Sequence, residues 1–252
     1  MECFINAAKP TELILTRSRC DQVTCSPLMM GSVIIPRTAV TKHLGVLLTE
    51  NLSWGSHMNA LIVKVAPKIA VIKWLAFRLY LPGFIISRFY STAVRPILEY
   101  AGPVWCNCRK VDAVMLERIQ IRVARAELFA NGQRSKFGDL AVLEKLQWPT
   151  LAWRRRFVAI CLFWQLKHGL GPPKIANFIP AAASLRVHYS LRKPDNLAFP
   201  RCSARHMKSF LPENIAVWNS LPPGIQATQT LGSFRRLVSA HFTLNRSVFC
   251  LS

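Results

Sequence analysis

Acidic side chains, which would bind magnesium or act as general acids and bases, are few and scattered in this sequence. The chain has 12 Asp and Glu among 252 residues, and no two of them are adjacent or four residues apart. A magnesium-dependent phosphoryl-transfer site needs clustered carboxylates, because this hard cation takes oxygen ligands. The six histidines form no HxxxH or HExxH pattern, and the sequence contains no GxSxG, P-loop or GxGxxG motif. We therefore expect no catalytic residue, no metal site and no cofactor.

The eight cysteines are scattered, and Cys106 and Cys108 are the only close pair. A zinc site would need two further ligands at finger-like spacing, and none is near this pair. We expect free thiols in a reducing, intracellular compartment.

Positive charge dominates the composition. Lys and Arg number 33, which gives a formal net charge of +21. Such an excess repels itself and is best tolerated beside a polyanion, so nucleic acid is the first expected partner and an anionic membrane surface the second. Apolar residues make up 51% of the chain, which is typical of a packed core. No segment supplies the roughly 18 uncharged apolar residues of a membrane-spanning helix. The basic helices also lack a wide apolar face free of core packing, so we expect no membrane partner.

Two groups of basic residues have the spacing of one helix face. Lys64 and Lys68 are four residues apart, and Arg118, Arg122 and Arg125 are four and three apart. A rigid basic face of this kind supplies affinity for phosphates that depends on salt and not on sequence.

A third basic group, Arg154 to Arg156, is consecutive instead. Three consecutive helical positions spread over about 200°, so the three guanidiniums cannot serve one flat face. Either Arg154 and Arg155 straddle a phosphate backbone while Arg156 pairs with a carboxylate, or all three form a solvated helix face. The predicted nucleic-acid-binding residues are Lys64, Lys68, Arg118, Arg122, Arg125, Arg154 and Arg155.

The pattern of apolar residues predicts a mainly α protein with a small N-terminal antiparallel β element and an irregular C-terminal region. TELILT, SVIIP and HLGVLL are short β-branched runs within the first fifty residues. Pro67 is expected to kink or split the first helix, and Arg95–Pro96 to end the second. RVHYSLR and RHMKSF could form short strands. Helices are predicted over 56–79, from 83 to about 95, 112–129, 140–146, 149–168, 213–219 and 231–242.

Six stretches, taken in order along the chain, resemble the C-terminal part of the reverse transcriptase of non-LTR retrotransposons (long interspersed elements). The resemblance implies an end-of-palm β element over 1–55, a helical thumb-like domain over 56–170 and a basic, Pro-rich C-terminal region over 171–252. The stretches are KHLGVLLTENLSWGSHM, STAVRPILEYAGPVW, LERIQIRVAR, LQWPTLAWRRR, HYSLR and SFLPENIAVWNSLP.

The resemblance also implies roles for particular residues. Lys42, His43, Leu44 and Gly45 correspond to the primer grip, and the helix after them lies along the template–primer duplex. The Tyr/Phe-Ala-Asp-Asp motif of the family is absent, so magnesium would belong to a missing palm and this chain is not expected to be an enzyme.

The expected partners are an RNA/DNA hybrid or duplex and the remaining domains of such a reverse transcriptase, in the nucleus or a cytoplasmic ribonucleoprotein. Two alternatives stay open: a decayed element fragment without selected function, and a protein-binding scaffold recruited by a host.

Overall fold

Helices form most of this chain, and short strands occur only near the N-terminal end of the part that the structure describes. The structure is a computed structural model and describes residues 10–15, 26–133, 138–180, 196–201, 203 and 206–244. The predicted fold class, mainly α with a small antiparallel β element, is confirmed.

The β element consists of two separate antiparallel hairpins. Strand β1 (Met29–Met30) pairs with β2 (Val33–Ile34), and β3 (Val40–His43) pairs with β4 (Val46–Thr49). Of the predicted TELILT strand, Glu12 forms an isolated bridge to Arg37. Because pairing is confined to such short runs, each hairpin depends on contacts with the rest of the chain for its stability.

Most of the longer helices lie close to the predicted positions, since apolar side chains recur at threes and fours along them. The helices are α1 (Gly55–Phe77), α2 (Gly83–Phe89), α3 (Arg95–Glu99), α4 (Lys110–Ala130), α5 (Asp139–Lys145), α6 (Leu151–Lys167), α7 (Pro173–Ala176), α8 (Phe210–Ser220), α9 (Pro223–Gln226) and α10 (Leu231–Leu244). Of these, α3, α7 and α9 were not predicted. None of the described helices is long and apolar enough to cross a membrane.

Neither predicted proline break divides a helix. Pro67 lies inside α1, which runs on to Phe77; Pro67 is exposed and Val63, four residues earlier, is 71% exposed, so water can reach the unpaired carbonyl. Pro96 follows a π turn, Tyr90–Val94, that joins α2 to α3. Here the Arg95 N–H bonds the Tyr90 carbonyl, and this wider turn accommodates the missing N–H of the proline.

The predicted strand at RHMKSF is wrong. His206–Lys208 forms a 3-10 turn and α8 begins at Phe210, with Pro212 in its first turn, where no intrahelical N–H bond is lost. The other predicted strand, RVHYSLR, lies outside the described residues.

Two large apolar clusters form the core, and α6 takes part in both. The first joins α1–α4 and is filled by side chains such as Ile72, Tyr90 and Trp105, with Leu151 at the start of α6. The second joins the later part of α6 to α8 and α10. Helix α6 is therefore surrounded by other elements along much of its length, and this arrangement determines what its arginines can contact.

Candidate nucleic-acid interface

Helix α4 carries a row of exposed arginines along one side. Arg118, Arg122 and Arg125 are all exposed, while Leu116 and Val123 on the other side are buried in the first cluster. We call these three arginines the α4 ridge. A 21-residue helix fixed by a buried face holds the three guanidiniums in constant relation to each other.

One end of the α4 ridge is already in contact with an acid. Nη2 of Arg125 lies 2.7 Å from Oδ1 of Asp139 at the start of α5, and both side chains are more than half exposed. An ion pair in water contributes little to stability, so a phosphate can compete for this guanidinium.

Two of the three lysines of α1, Lys64 and Lys68, lie beside an exposed apolar face of that helix. Lys64 is exposed and Lys68 is half-buried. Val63, Val71 and Trp74 are exposed on the same helix, with Trp74 53% exposed. The outer side of α1 thus combines positive charge with apolar and aromatic surface.

The arginines of α6 contact three different elements. Arg154 forms a two-pronged ion pair with Glu99 at the end of α3, and its Nη2 donates to Oε2 at 3.1 Å. Arg155 is 7% exposed, with its guanidinium carbon 5.2 Å from the centre of the Trp105 ring. Nε of Arg156 lies 3.9 Å from Oε1 of Glu213 in α8, the carboxylate pairing expected for this residue.

These contacts correct the predicted phosphate-binding set. Glu99 raises the pKa of Arg154, and burial lowers the pKa of Arg155. Arg154 is held inside the fold by an acid and Arg155 by burial against an aromatic ring, so neither guanidinium lies on an open surface with the α4 ridge. We therefore remove both residues from the candidate interface.

The β3–β4 turn presents the residues of the primer-grip resemblance. Lys42, His43, Leu44 and Gly45 are all exposed, and Leu44 is 78% exposed. Leu44 and Gly45 have φ of 46° and 84°, which makes this a tight two-residue hairpin turn of the I′ kind. The hydroxyl of Tyr100 donates to the Leu44 carbonyl at 2.7 Å and fixes the turn against the segment after α3.

His57 attaches the same hairpin to the helices. The Leu47 N–H donates to Nδ1 of His57 at 3.4 Å, and the His57 ring is 1% exposed, with Trp54 and Trp105 on its sides. Burial lowers the pKa of His57, and this favours the neutral ring whose nitrogen can accept the bond. Sequence reasoning gave this histidine no role, and its neighbours in the chain, Ser56 and Met58, do not mark it as buried.

Glu117 and Gln120 fix α6 against α4, and sequence reasoning missed both. Oε2 of Glu117 accepts from the Leu151 N–H at 3.0 Å, at the N-terminal end of α6. Gln120 accepts from the Tyr90 hydroxyl at 2.6 Å and donates to the Pro149 carbonyl at 2.9 Å. Burial raises the pKa of Glu117 to about 7. Glu117 and Gln120 are polar residues that do not lie on the face of α4 that carries the ridge arginines. A polar residue outside the polar face of a helix was the signal that the sequence offered.

No family model matches this chain, and neither a curated protein nor a solved structure matches it. Among the described residues, no group of three or more His, Cys, Asp or Glu side chains could hold a metal ion. The candidate interface consists of the α4 ridge, Lys64 and Lys68 on α1, and the turn from Lys42 to Gly45.

Proposed function

We propose that this chain binds an RNA/DNA hybrid or duplex through the α4 ridge, without regard to sequence. The single observation that carries the proposal is the row of three exposed guanidiniums on a helix whose opposite side is buried. Residues 118 to 125 span about 10 Å of helix axis. A duplex presents roughly six phosphate charges over that length, so the ridge and a phosphate backbone are comparable in scale.

The resemblance to non-LTR retrotransposon reverse transcriptases supplies the wider context of the proposal. In that context the helices act as a thumb, α1 lies along the duplex with Lys64 and Lys68 at its edge, and the Lys42–Gly45 turn approaches the primer end. Glycine at position 45 lets a backbone approach closely, and a side chain there would meet Tyr100 at 3.2 Å.

Binding without polymerisation is the activity we propose for this chain alone. The sequence contains no pair of adjacent aspartates, so nucleotide transfer and its magnesium would depend on the palm of such an enzyme. The proposed partners are the nucleic acid and the remaining reverse transcriptase domains, in the nucleus or a cytoplasmic ribonucleoprotein.

The test measures binding of the purified chain to a fluorescein-labelled RNA/DNA hybrid by anisotropy across a salt series. Log affinity should fall steeply with log salt, and the reversal of all three ridge charges (R118E, R122E and R125E) should weaken binding at least a hundredfold. The matched control reverses three exposed charges elsewhere (K174E, K208E and R236E) and so has the same net charge.

Two outcomes would overturn the proposal. One is an equal loss of affinity in the ridge variant and its control, which would reduce binding to overall charge. The other is a folded wild-type chain that fails to bind the hybrid even at low salt.

A protein-binding scaffold is the second candidate, and the exposed apolar side chains favour it. Trp74 and Phe84 are 53% and 72% exposed near the α1–α2 connection, where large exposed apolar groups often mark contacts between proteins. Photo-crosslinking from position 74 in cells distinguishes the candidates. Protein adducts that persist after nuclease treatment and in the ridge variant support the scaffold, whereas adducts lost in both cases favour nucleic acid.

A further inference from the structure

A cavity of about 410 Å³ lies between α4, α6 and α8, beside the turn that contains Cys106 and Cys108. This volume is in the range of small-molecule sites. Its walls are largely apolar, with contributions from all three helices. The apolar lining residues include Ala113, Val114, Ile121, Ala152, Ala159 and Val217.

Arg155 lines this cavity with an unsatisfied charge. The residue is 7% exposed, its Nη1 has no hydrogen-bond partner, and its guanidinium forms no ion pair with a described residue. Trp105 lies beside the guanidinium carbon at 5.2 Å but offers no acceptor atom in its ring. Arginine stays charged under all ordinary conditions, so burial cannot be relieved by loss of a proton. Buried charges are normally hydrogen-bonded to an acceptor, and among the described residues Nη1 of Arg155 has none.

The acids around the cavity are already engaged with other groups. Glu117 accepts from the Leu151 N–H, Glu213 lies beside Arg156, and Asp139 pairs with Arg125. Glu117 and Glu213 are near enough to act on Arg155 electrostatically, but neither forms an ion pair or a hydrogen bond with its guanidinium. A ligand anion is the group that would complete this site.

We propose that the cavity binds an amphipathic carboxylate, with the acid group on Arg155 and an apolar body against the helix walls. The planar guanidinium donates two parallel hydrogen bonds to a carboxylate. One negative charge fits better than two, because four basic residues and three acids line the cavity, which leaves an excess of one positive charge. Arg118, exposed at the edge of the cavity, adds positive charge that attracts the anion.

The first experiment uses two fluorescent probes that differ by one charged group. Anilinonaphthalenesulfonate carries a single negative charge, and N-phenyl-1-naphthylamine is its neutral counterpart. The anionic probe should bind with one-to-one stoichiometry and at least tenfold more tightly than the neutral probe. Decanoate should displace it, whereas decanol at the same concentration should not. Equal affinity for the two probes in the wild-type chain would overturn the proposal without any variant being needed.

Variants assign the binding to this cavity. Arg155→Met keeps an apolar stem and removes the charge. The affinity for the anionic probe should therefore fall at least tenfold, and the affinity for the neutral probe should stay unchanged. Val217→Phe reduces the space and should weaken both probes. Arg236→Met, an exposed change of the same kind on α10, should alter neither. An Arg155→Met chain that binds the anionic probe as tightly as the wild type would place the site elsewhere and contradict the proposal.

Discussion

Helices α4 and α6 each carry three arginines, and the two sets lie in opposite environments. Those of α4 are spaced four and three residues apart, project from one side and are exposed. Those of α6 are consecutive, project in three directions and meet Glu99, Trp105 and Glu213 in turn. The spacing of basic residues on a helix, more than their number, separates a binding surface from a set of structural contacts.

The elements packed around each helix also determine what its arginines can contact. Helix α6 lies among α3, α4, α8 and α10, so a guanidinium at almost any angle meets another element. On the α4 ridge, the ion pair seen among the described residues is that of Arg125 with Asp139 of α5. Three substitutions test this difference between the two helices.

Substitution of Glu117 by Gln should change how stability depends on pH. Burial raises the pKa of Glu117 in the folded chain from its ordinary value of 4.5 to about 7. The folded chain thus binds this proton more tightly than the unfolded chain does. Glu117 therefore adds to the free energy of unfolding below pH 4.5, and this contribution is lost as the pH rises to about 7. The wild-type free energy of unfolding should fall over this interval by on the order of 3 kcal/mol more than that of the variant.

Urea unfolding at pH 5 and pH 8 measures this difference. Glu144→Gln, at an exposed acid of α5, provides the control. Glu127→Gln should lose pH dependence as Glu117→Gln does, because burial also raises the pKa of Glu127 to about 7. If Glu117→Gln and the wild type show the same pH dependence, Glu117 does not hold α6 as a buried acid.

Substitution of Arg154 by Ala should reduce stability and leave hybrid binding unchanged. Arg154 and Glu99 are each less than a third exposed, and loss of the guanidinium leaves a half-buried carboxylate without its partner. The expected cost is about 2 kcal/mol of unfolding free energy, measured by urea titration. Arg122→Ala on α4 should show the reverse pattern, with weaker hybrid binding at nearly unchanged stability. Reduced affinity in folded Arg154→Ala would return this residue to the interface.

Substitution of Asp139 by Asn should strengthen hybrid binding slightly. The change removes a negative charge 2.7 Å from Arg125, so the guanidinium no longer has to exchange this acid for a phosphate. Affinity should rise about twofold, because exposed ion pairs are weak. Anisotropy titrations of the variant and of Glu144→Gln, an exposed acid on the same helix, should differ in this way. If the two variants bind the hybrid with equal affinity, Arg125 does not contact the nucleic acid.

The sequence was sufficient for features that depend on near neighbours in the chain. The apolar repeat that buries Leu116, Ile119 and Val123 predicts α4, and the same repeat places its arginines on the opposite side. The HLGVLL run indicates β structure but predicts a single strand, and the structure divides it by a turn at Leu44 and Gly45 between β3 and β4. These features need no knowledge of distant residues.

Features that depend on distant residues were not predictable. Arg154 becomes structural because Glu99, 55 residues earlier, ends α3 beside it. Leu44 adopts a positive φ although it is not a glycine, and the hydroxyl of Tyr100, 56 residues away, donates a hydrogen bond to its carbonyl. Pro67 is tolerated because its side of α1 is exposed, which depends on where the other helices pack.

The most direct test of the central claim compares the salt dependence of hybrid binding in two double variants of equal charge. One replaces Arg118 and Arg122 of α4 by Gln, and the other replaces Arg154 and Arg156 of α6 by Gln, with the fold of each checked by circular dichroism. The account predicts that the slope of log affinity against log salt becomes shallower by about 1.8 in the α4 variant and stays unchanged in the α6 variant. Equal changes of slope in the two variants would contradict it, because charge alone and not its placement would then determine binding.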